Sequence, residues 1–338
     1  MTHRISIADT DVAFDCAPGQ TVLDAALHNG IELPYSCRKG VCGNCAGAIA
    51  AGTVGGVAGA AIRNETCRPD QVLYCACEPV GGDVVLRPTQ WKRIDPSARK
   101  TLTVKVHGND RAAPDVSVIR LRLPAGQRAK FQAGQYLQVR LDEGDVRSYS
   151  MANPPQESDS VTLHVRHVPG GRFTAVASAL KPGDTLRIEL PFGGVALDAD
   201  DPRPLVCVAG GTGFAPVKSI LDDIARRKIV RPIALVWGAR DPSGLYLPAA
   251  VEKWRRQWPD FVYVPALSEA AADAVPGAFA GRADDALRGR FDSLAGCVMH
   301  CCGSPAMVAA VRVAALEKGL SVDDFHADVF VPSADPLP

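Results

Sequence analysis

The run "YSCRKGVCGNC", residues 35–45, sets Cys37, Cys42 and Cys45 in one short loop, and "QVLYCACEP" supplies Cys75 further along. Gly40 and Gly43 lie between the first three thiols. Glycine accepts the positive φ and the close backbone approach that a loop wrapped around a bound group requires. The chain holds eleven cysteines in 338 residues, a high and odd number. Clustered thiols in a chain of this size read as a metal or redox centre rather than a disulfide framework. The N-terminal run "MTHRISIADTDVAF" alternates like a strand and lacks the apolar core of a signal peptide. No apolar run is long enough to cross a bilayer. A cytoplasmic protein without a membrane partner is expected. Lys+Arg and Asp+Glu are equal at 37 each. Nucleic-acid binding leaves a basic footprint, so nucleic acid is excluded as a main partner.

The spacing Cys37-x4-Cys42-x2-Cys45 followed by a distant cysteine is the one by which plant-type ferredoxins hold a [2Fe–2S] cluster. Two irons need four thiolates converging from one tight loop and a neighbouring strand, with backbone N–H groups turned toward the sulfurs. Zinc is the plainer alternative, but zinc sites favour paired C-x2-C knuckles, and only one half here has that form. The residues alone leave the fourth ligand open among Cys67, Cys75 and Cys77. The resemblance to plant-type ferredoxins implies Cys75, giving Cys37, Cys42, Cys45 and Cys75 as the metal ligands. Cys16, Cys207, Cys297 and Cys301 read as small buried hydrophobes. Around the loop, "RISIADTDVAFDCAPGQ" reads as two strands with a turn. "TVLDAALHNG" reads as a short helix with Thr21 as N-cap and Gly30 at its C-terminal end. The Gly- and Ala-rich residues 46–61 read as a turn plus a buried segment. Together these make a β-grasp ferredoxin pattern over residues 1–92, nearly neutral in charge.

The polar stretch "RPTQWKRIDPSARK" marks a domain boundary. Six short β-rich runs follow, from "TLTVKVHG" to "TLRIELPFG", separated by Gly and Pro turns. Strands spaced so closely predict an antiparallel β-barrel over residues 99–200. Within it lie "RSYSMANPP" and "HVRHVPGGRFT", the latter with a Gly pair opening a helix. A helix N-terminus offers free N–H groups to an anion. The combination resembles the FAD-binding barrel of the ferredoxin–NADP reductase superfamily. The resemblance implies that Arg147 pairs with the flavin pyrophosphate, Tyr149 packs on the isoalloxazine and Ser150 bonds near flavin N5. Gly171, Arg172, Phe173 and Thr174 hold the pyrophosphate at the helix start. Ser148, His164, Val165 and Gly170 belong to the same stretches and join the cofactor-binding set. The imidazoles of His164 and His167 read as ordinary strand residues. A pyrophosphate motif implies FAD rather than FMN.

From residue 203 to 338 apolar strands alternate with helices, which predicts a doubly wound parallel sheet that binds ligands at the strands' carboxyl ends. "AGGTGFAP" lies at such an end. Gly210, Gly211 and Gly213 remove side chains where a dinucleotide phosphate would approach, and the resemblance to the same superfamily implies that Thr212 positions the nicotinamide. "CCGSP" follows another strand and resembles the superfamily's second nicotinamide motif, implying roles for Cys302, Gly303, Ser304 and Pro305, with Cys302 beside the hydride-carrying carbon. The C-terminal "DDFHADVFVPS" resembles the superfamily's last strand, which implies an aromatic over the flavin, Phe330, and an acid at its reactive edge, Asp328. His326 stands where relatives carry Tyr. After the second strand, "WGARDPSGLY" offers Arg240, which can accept a 2′-phosphate, against Asp241, which would favour NADH. The balance leans slightly to NADPH.

The order ferredoxin, FAD domain, NAD(P) domain resembles the reductase components of bacterial ring-hydroxylating oxygenases, over essentially the whole chain. The runs "ELPYSCRKGVCGNCA", "LHVRHVPGGRF" and "HCCGSPA" resemble most the terephthalate 1,2-dioxygenase branch of that family. This implies electron transfer from NAD(P)H through FAD and a [2Fe–2S] cluster to a Rieske-type oxygenase, with Ser150, Cys302 and Asp328 at the reacting centre. No Cys-x-His Rieske motif and no Glu-x-x-His di-iron motif occurs, so an oxygenase component is an expected partner, docking near Arg38 and Lys39. Reductases of di-iron monooxygenases or deoxysugar dehydrases share this architecture. A redox-sensing carrier is the reading outside enzymes, and the complete nicotinamide motifs argue against it.

Overall fold

A computed structural model describes residues 2–331 except 96, 97, 142, 143, 195–197, 199, 271, 272 and 274. The chain divides into two compact units, Met1–Arg99 with Gly193–Val195, and Lys100–Phe192 with Ala196–Pro338.

In the first unit, β1 (His3–Ile7) and β2 (Ala13–Cys16) form the expected hairpin. Helix α1 (Val22–His28) follows, with the Thr21 hydroxyl accepting from the Asp24 N–H at 3.0 Å. Then come β3 (Ile31–Glu32), β4 (Ala46–Ala51), β5 (Val54–Gly56), β6 (Gln71–Leu73), β7 (Cys77–Pro79), β8 (Val84–Pro88) and β9 (Lys92–Arg93). The main sheet runs β2-β1-β8-β4-β6. Residues 46–61 differ from expectation. They form β4, β5 and a 3-10 turn, and residues 50–53 and 58–61 are exposed. β4 pairs with β6 and β8, and Ala46, Ile49 and Val54 pack against the core, while the β4–β5 turn and the 3-10 turn run over the surface. The core instead gathers Leu23, Leu33, Tyr35, Leu73, Tyr74 and Leu86 against α1.

The second unit opens with the barrel: β10 (Lys100–Ala113), β11 (Val116–Arg122), β12 (Tyr136–Arg140), β13 (Val146–Ser150), β14 (Ser160–Arg166), helix α2 (Arg172–Ala179) and β15 (Thr185–Phe192). The six strands are antiparallel in the order β13-β12-β15-β10-β11-β14. In β15 Leu186, Ile188, Leu190 and Phe192 all point inward, as alternation requires.

The same unit continues with β16 (Leu205–Gly210), α3 (Phe214–Arg227), β17 (Ile233–Ala239), α4 (Pro248–Gln257), β18 (Val262–Leu267), β19 (Phe279–Ala280), α5 (Ala283–Arg290), β20 (Val298–Gly303), α6 (Pro305–Glu317) and β21 (Phe325–Val329). The sheet is parallel, in the order β19-β18-β17-β16-β20-β21. Phe214 and Trp237 stack at 3.7 Å between ring centroids, with Trp254 beside them. Polar bonds tie α3 to the loop after β13. Ser219 Oγ donates to the Asn153 carbonyl at 2.7 Å, and Gln156 donates to Asp223 at 2.6 Å.

Asp222, buried on α3, accepts from Lys218 at 2.7 Å, Lys253 at 3.2 Å and Trp254 Nε1 at 3.1 Å. Breaking a buried pair by removing one partner costs about 3–5 kcal/mol. Lys253 is half exposed, which discounts that cost. Asp222→Ala is expected to destabilise the second unit by about 2 kcal/mol, measured as a lower denaturant midpoint by tryptophan fluorescence.

Candidate functional site

The cluster loop runs between α1 and β4. Arg38, Gly40 and Gly43 take φ of 54°, 73° and 81°, and at Gly43 a Cβ would lie 2.1 Å from Thr66 Oγ1. The loop thus needs glycine there for both conformation and space. The turn this makes brings the four thiols together as two pairs. All four are free thiols, Cys37 facing Cys42 and Cys45 facing Cys75. The hydrogen bond from Cys42 pulls the Cys37 thiol down to about 6, helped by backbone N–H groups. The Cys42 thiol, as the donor and deeply buried, is pushed well up. The Cys45 and Cys75 thiols divide in the same way, Cys45 raised and Cys75 lowered. Lys39 N and Cys42 N each stand 3.4 Å from Cys37 Sγ as donors. Two pairs of thiols suit a binuclear cluster better than one tetrahedral ion.

Cys77 lies on β7 with no exposed surface, its thiol pushed up to about 12 by burial. Cys67 is half-buried and its Sγ lies 3.8 Å from Asn64 Oδ1. Cys16, Cys207 and Cys301 are buried, whereas Cys297 is only half-buried. Arg38 forms an ion pair with Asp24 on α1, so only Lys39 of the two expected docking cations is fully exposed.

In the second unit, the carboxyl ends of β16, β20 and β21 collect the nucleotide motifs on one edge. Cys302 is in register with Ala209 on one side and Asp328 on the other. Asp328 Oδ2 accepts from Ser150 Oγ at 3.2 Å and lies 3.7 Å from Cys302 Sγ. One carboxylate therefore joins the barrel's Ser150 to the nucleotide sheet's Cys302. Burial, with Asp328 beside it, pushes the Cys302 thiol well above its ordinary value and keeps it protonated. The Phe330 N–H donates to the Gly303 carbonyl at 2.9 Å, fixing the last strand to the Cys302–Gly303 turn.

The glycines of the two motifs have a duty the sequence did not suggest. A Cβ on Gly213 would lie 2.1 Å from the Cys302 carbonyl oxygen, and one on Gly210 would lie 2.2 Å from Met307 Sδ. They let the two loops close on each other. Gly211, with φ of 52°, faces Arg166 instead. Thr212 sits between them in a 3-10 turn and is half-buried. Ser304 caps α6, its hydroxyl accepting from Met307 N at 3.3 Å, and Pro305 opens that helix.

On the barrel, Arg147 pairs with Asp145, which also faces Arg172 at 3.5 Å. The two arginines expected to meet a pyrophosphate are thus gathered around one carboxylate. Burial works against Asp145's charge, but Arg147 wins and holds its carboxyl below the ordinary range. Tyr149 packs on Phe173 at 5.0 Å between centroids. Phe173 is itself buried in the barrel, at the start of α2 beside Gly171. Thr174 Oγ1 donates within its own turn, to Val168 and Gly171 carbonyls at 2.9 Å. Gly170 takes φ of 76° and is exposed, as is Ser148. Val165 is in the barrel core. The His164 imidazole faces Tyr246, 2.8 Å from Nδ1 to the hydroxyl, and Phe214. Burial lowers it to about 3, so it is neutral. Arg240 is exposed after β17, while Asp241 accepts from Ser243 N at 2.8 Å and Oγ at 2.6 Å.

Sequence reasoning missed Asp145, Arg166, Tyr246 and Asn64. Arg166 and Tyr246 lie inside quoted motifs, but only the strand register of β14 shows Arg166 reaching Asp115 and the Gly211 loop.

Three family models match in the order the motifs predict: a 2Fe-2S iron-sulfur cluster binding domain at residues 5–80, an oxidoreductase FAD-binding domain at 103–196 and an oxidoreductase NAD-binding domain at 207–313. Terephthalate 1,2-dioxygenase, reductase component 2, from Comamonas sp is 61% identical over 330 residues, 98% of each chain. The chain belongs to the three-domain iron–sulfur flavoprotein reductases. The reductase is also 31% identical, over 98% of its length, to the CDP-6-deoxy-L-threo-D-glycero-4-hexulose-3-dehydrase reductase of Yersinia pseudotuberculosis, all of which is covered. Among solved structures it resembles the Amycolatopsis cytochrome P450 reductase GcoB, with a TM-score of 0.77 and 31% identity over 98% of this chain and 99% of that one. The reductase is an oxidoreductase with [2Fe–2S], FAD and NAD(P)H-binding domains. Among the described residues no helix is long and apolar enough to cross a membrane.

Two outcomes are expected from this geometry. Cys75→Ala removes the visible absorption and EPR signal of the cluster, while Cys77→Ala retains both. Ser150→Ala lowers kcat for NADPH-dependent ferricyanide reduction by about 10–100-fold with little change in KM, because misplacement near a reacting centre can cost about 10²-fold.

Proposed function

We propose that the reductase takes electrons from NADPH, and less well from NADH, and delivers them singly to the oxygenase component of terephthalate 1,2-dioxygenase in the cytoplasm. The observation that carries the partner is the 61% identity to a Comamonas terephthalate 1,2-dioxygenase reductase over 98% of each chain. The dehydrase-reductase relative, at half that identity, supports the same electron path with a different acceptor.

The residues fit the cofactors by their chemistry. Cys37 and Cys42 would hold one iron and Cys45 and Cys75 the other. Arg147 and Arg172, now sharing Asp145, would turn to a pyrophosphate, with the α2 N-terminus and its uncapped N–H groups beside them. FAD, when bound, supplies the exchange of an electron pair for single electrons that the cluster can take. Ser150 would hold a hydrogen bond at the edge of the barrel site, and Tyr149, braced by Phe173, would cover one face. Cys302, uncharged and dry, would shape the position of the nicotinamide and keep water from it. Asp328 orients both Ser150 and Cys302 without titrating substrate. Gly211, Thr212 and Gly303 line the approach, and Phe330 is held over it by the Gly303 carbonyl.

The lean to NADPH rests on two side chains after β17. Asp241 Oδ1 accepts both bonds from Ser243, which turns that oxygen to its own loop and leaves Oδ2 as its acceptor for ribose hydroxyls. Arg240 is exposed beside it, where a 2′-phosphate would meet a guanidinium. Lys39, exposed in the cluster loop, is where an oxygenase would approach.

Oxygen uptake tests this directly, with the holoprotein, purified terephthalate dioxygenase oxygenase component and terephthalate. Substrate-dependent uptake, faster with NADPH than with NADH, is expected. No uptake from a sample that still reduces cytochrome c rapidly would move the partner to another acceptor.

A further inference from the structure

Asn64 lies between β5 and β6, outside every motif of the chain. Its Nδ2 donates to the carbonyls of Gly40 at 2.8 Å and Val41 at 3.1 Å, inside the cluster loop. Its Oδ1 accepts from Thr66 N at 2.9 Å and Thr66 Oγ1 at 2.5 Å, and the Thr66 hydroxyl occupies the space beside Gly43. One amide therefore holds the cluster loop with its donors and its own turn with its acceptor.

The peptide group is planar and trans, so its C=O and N–H point in opposite directions. Fixing the Val41 carbonyl outward aims the N–H of Cys42 inward, and that N–H stands 3.4 Å from Cys37 Sγ. Holding the Gly40 carbonyl fixes the preceding peptide of the same turn. Hydrogen bonds to cluster sulfurs stabilise the more negative, reduced cluster and raise its potential.

We propose that Asn64 is a positioning residue for the cluster. By holding the Gly40 and Val41 carbonyls, it aims the Cys42 N–H at Cys37 and sets the cluster's reduction potential. The inference rests on the [2Fe–2S] reading of the four cysteines. Hydrogen bonds to charged groups are stronger than those between neutral ones, so loss of even part of this network is readable in an electron-transfer equilibrium.

The test is an EPR-monitored redox titration of the intact holoprotein and its variants. Asn64→Ser keeps an oxygen that can accept from Thr66 N but cannot reach the two carbonyls. Thr66→Val removes the hydroxyl from Asn64 and leaves its donors in place. In N64S the ratio of reduced to oxidised cluster at fixed potential is expected to fall roughly tenfold, a shift of about 59 mV to lower potential for one electron. In T66V it is expected to stay within about twofold of wild type. N64S should also change the couplings of exchangeable protons to the reduced cluster in pulsed EPR, while NADPH-dependent ferricyanide reduction at the flavin stays unchanged. An unchanged potential and unchanged couplings in N64S would overturn the proposal. If N64S loses its cluster, Asn64→Gln, which displaces the donors on a longer arm, is titrated instead. A lowered potential there supports the proposal and an unchanged one overturns it. Absence of any cluster signal in the wild-type protein would instead overturn the [2Fe–2S] reading itself.

Discussion

The carboxylate of Asp328 is the contact that joins the barrel to the parallel sheet within the second unit. It accepts from Ser150 Oγ at 3.2 Å and lies 3.7 Å from Cys302 Sγ. Ser150 ends a barrel strand, while Cys302 and Asp328 end strands of the parallel sheet. A nicotinamide and a flavin must meet with reacting atoms about 3–3.5 Å apart. That geometry can be held only if the two folds are fixed to each other near the reacting centre. The bonds from Ser219 to Asn153 and from Gln156 to Asp223 secure the same pair of folds further out. The pair Phe214 and Trp237 makes the start of α3 rigid beneath the glycine turn.

The first unit obeys a different constraint. Four thiols must converge without becoming a disulfide or a mononuclear site. The loop achieves this by positive φ at Arg38, Gly40 and Gly43 and by turning backbone N–H groups on Cys37. Its outer face is held by Asn64 and its flank by the Arg38–Asp24 pair.

Much of this was legible in the chain. Thr21 as a helix cap, the six barrel strands and the alternation of strands and helices after residue 203 follow from local patterns that tertiary packing did not override. The cysteine spacing, with the order of the three domains, carried the family. What was hidden depends on register or on long-range approach. Residues 46–61 read as a turn plus a buried segment because they are small and apolar, yet the end of β4 and the two turns beyond it are exposed. Gly210 and Gly213 read as phosphate-loop glycines, and nothing local shows that Cys302 and Met307 press on them. Asp145 gave no signal, because an acid two residues before Arg147 looks like any surface charge until Arg172 arrives beside it. Arg38 read as a docking cation because its partner, Asp24, belongs to a helix that only the fold brings near.

The central claim is an electron path from nicotinamide through FAD to the [2Fe–2S] cluster within one chain. Anaerobic stopped-flow mixing of the holoprotein with NADPH, followed by absorbance and freeze-quench EPR, tests it most directly. Flavin absorbance is expected to bleach first, and the EPR signal of the one-electron-reduced cluster to appear in a slower step. A flavin that is fully reduced while the cluster stays oxidised would contradict it.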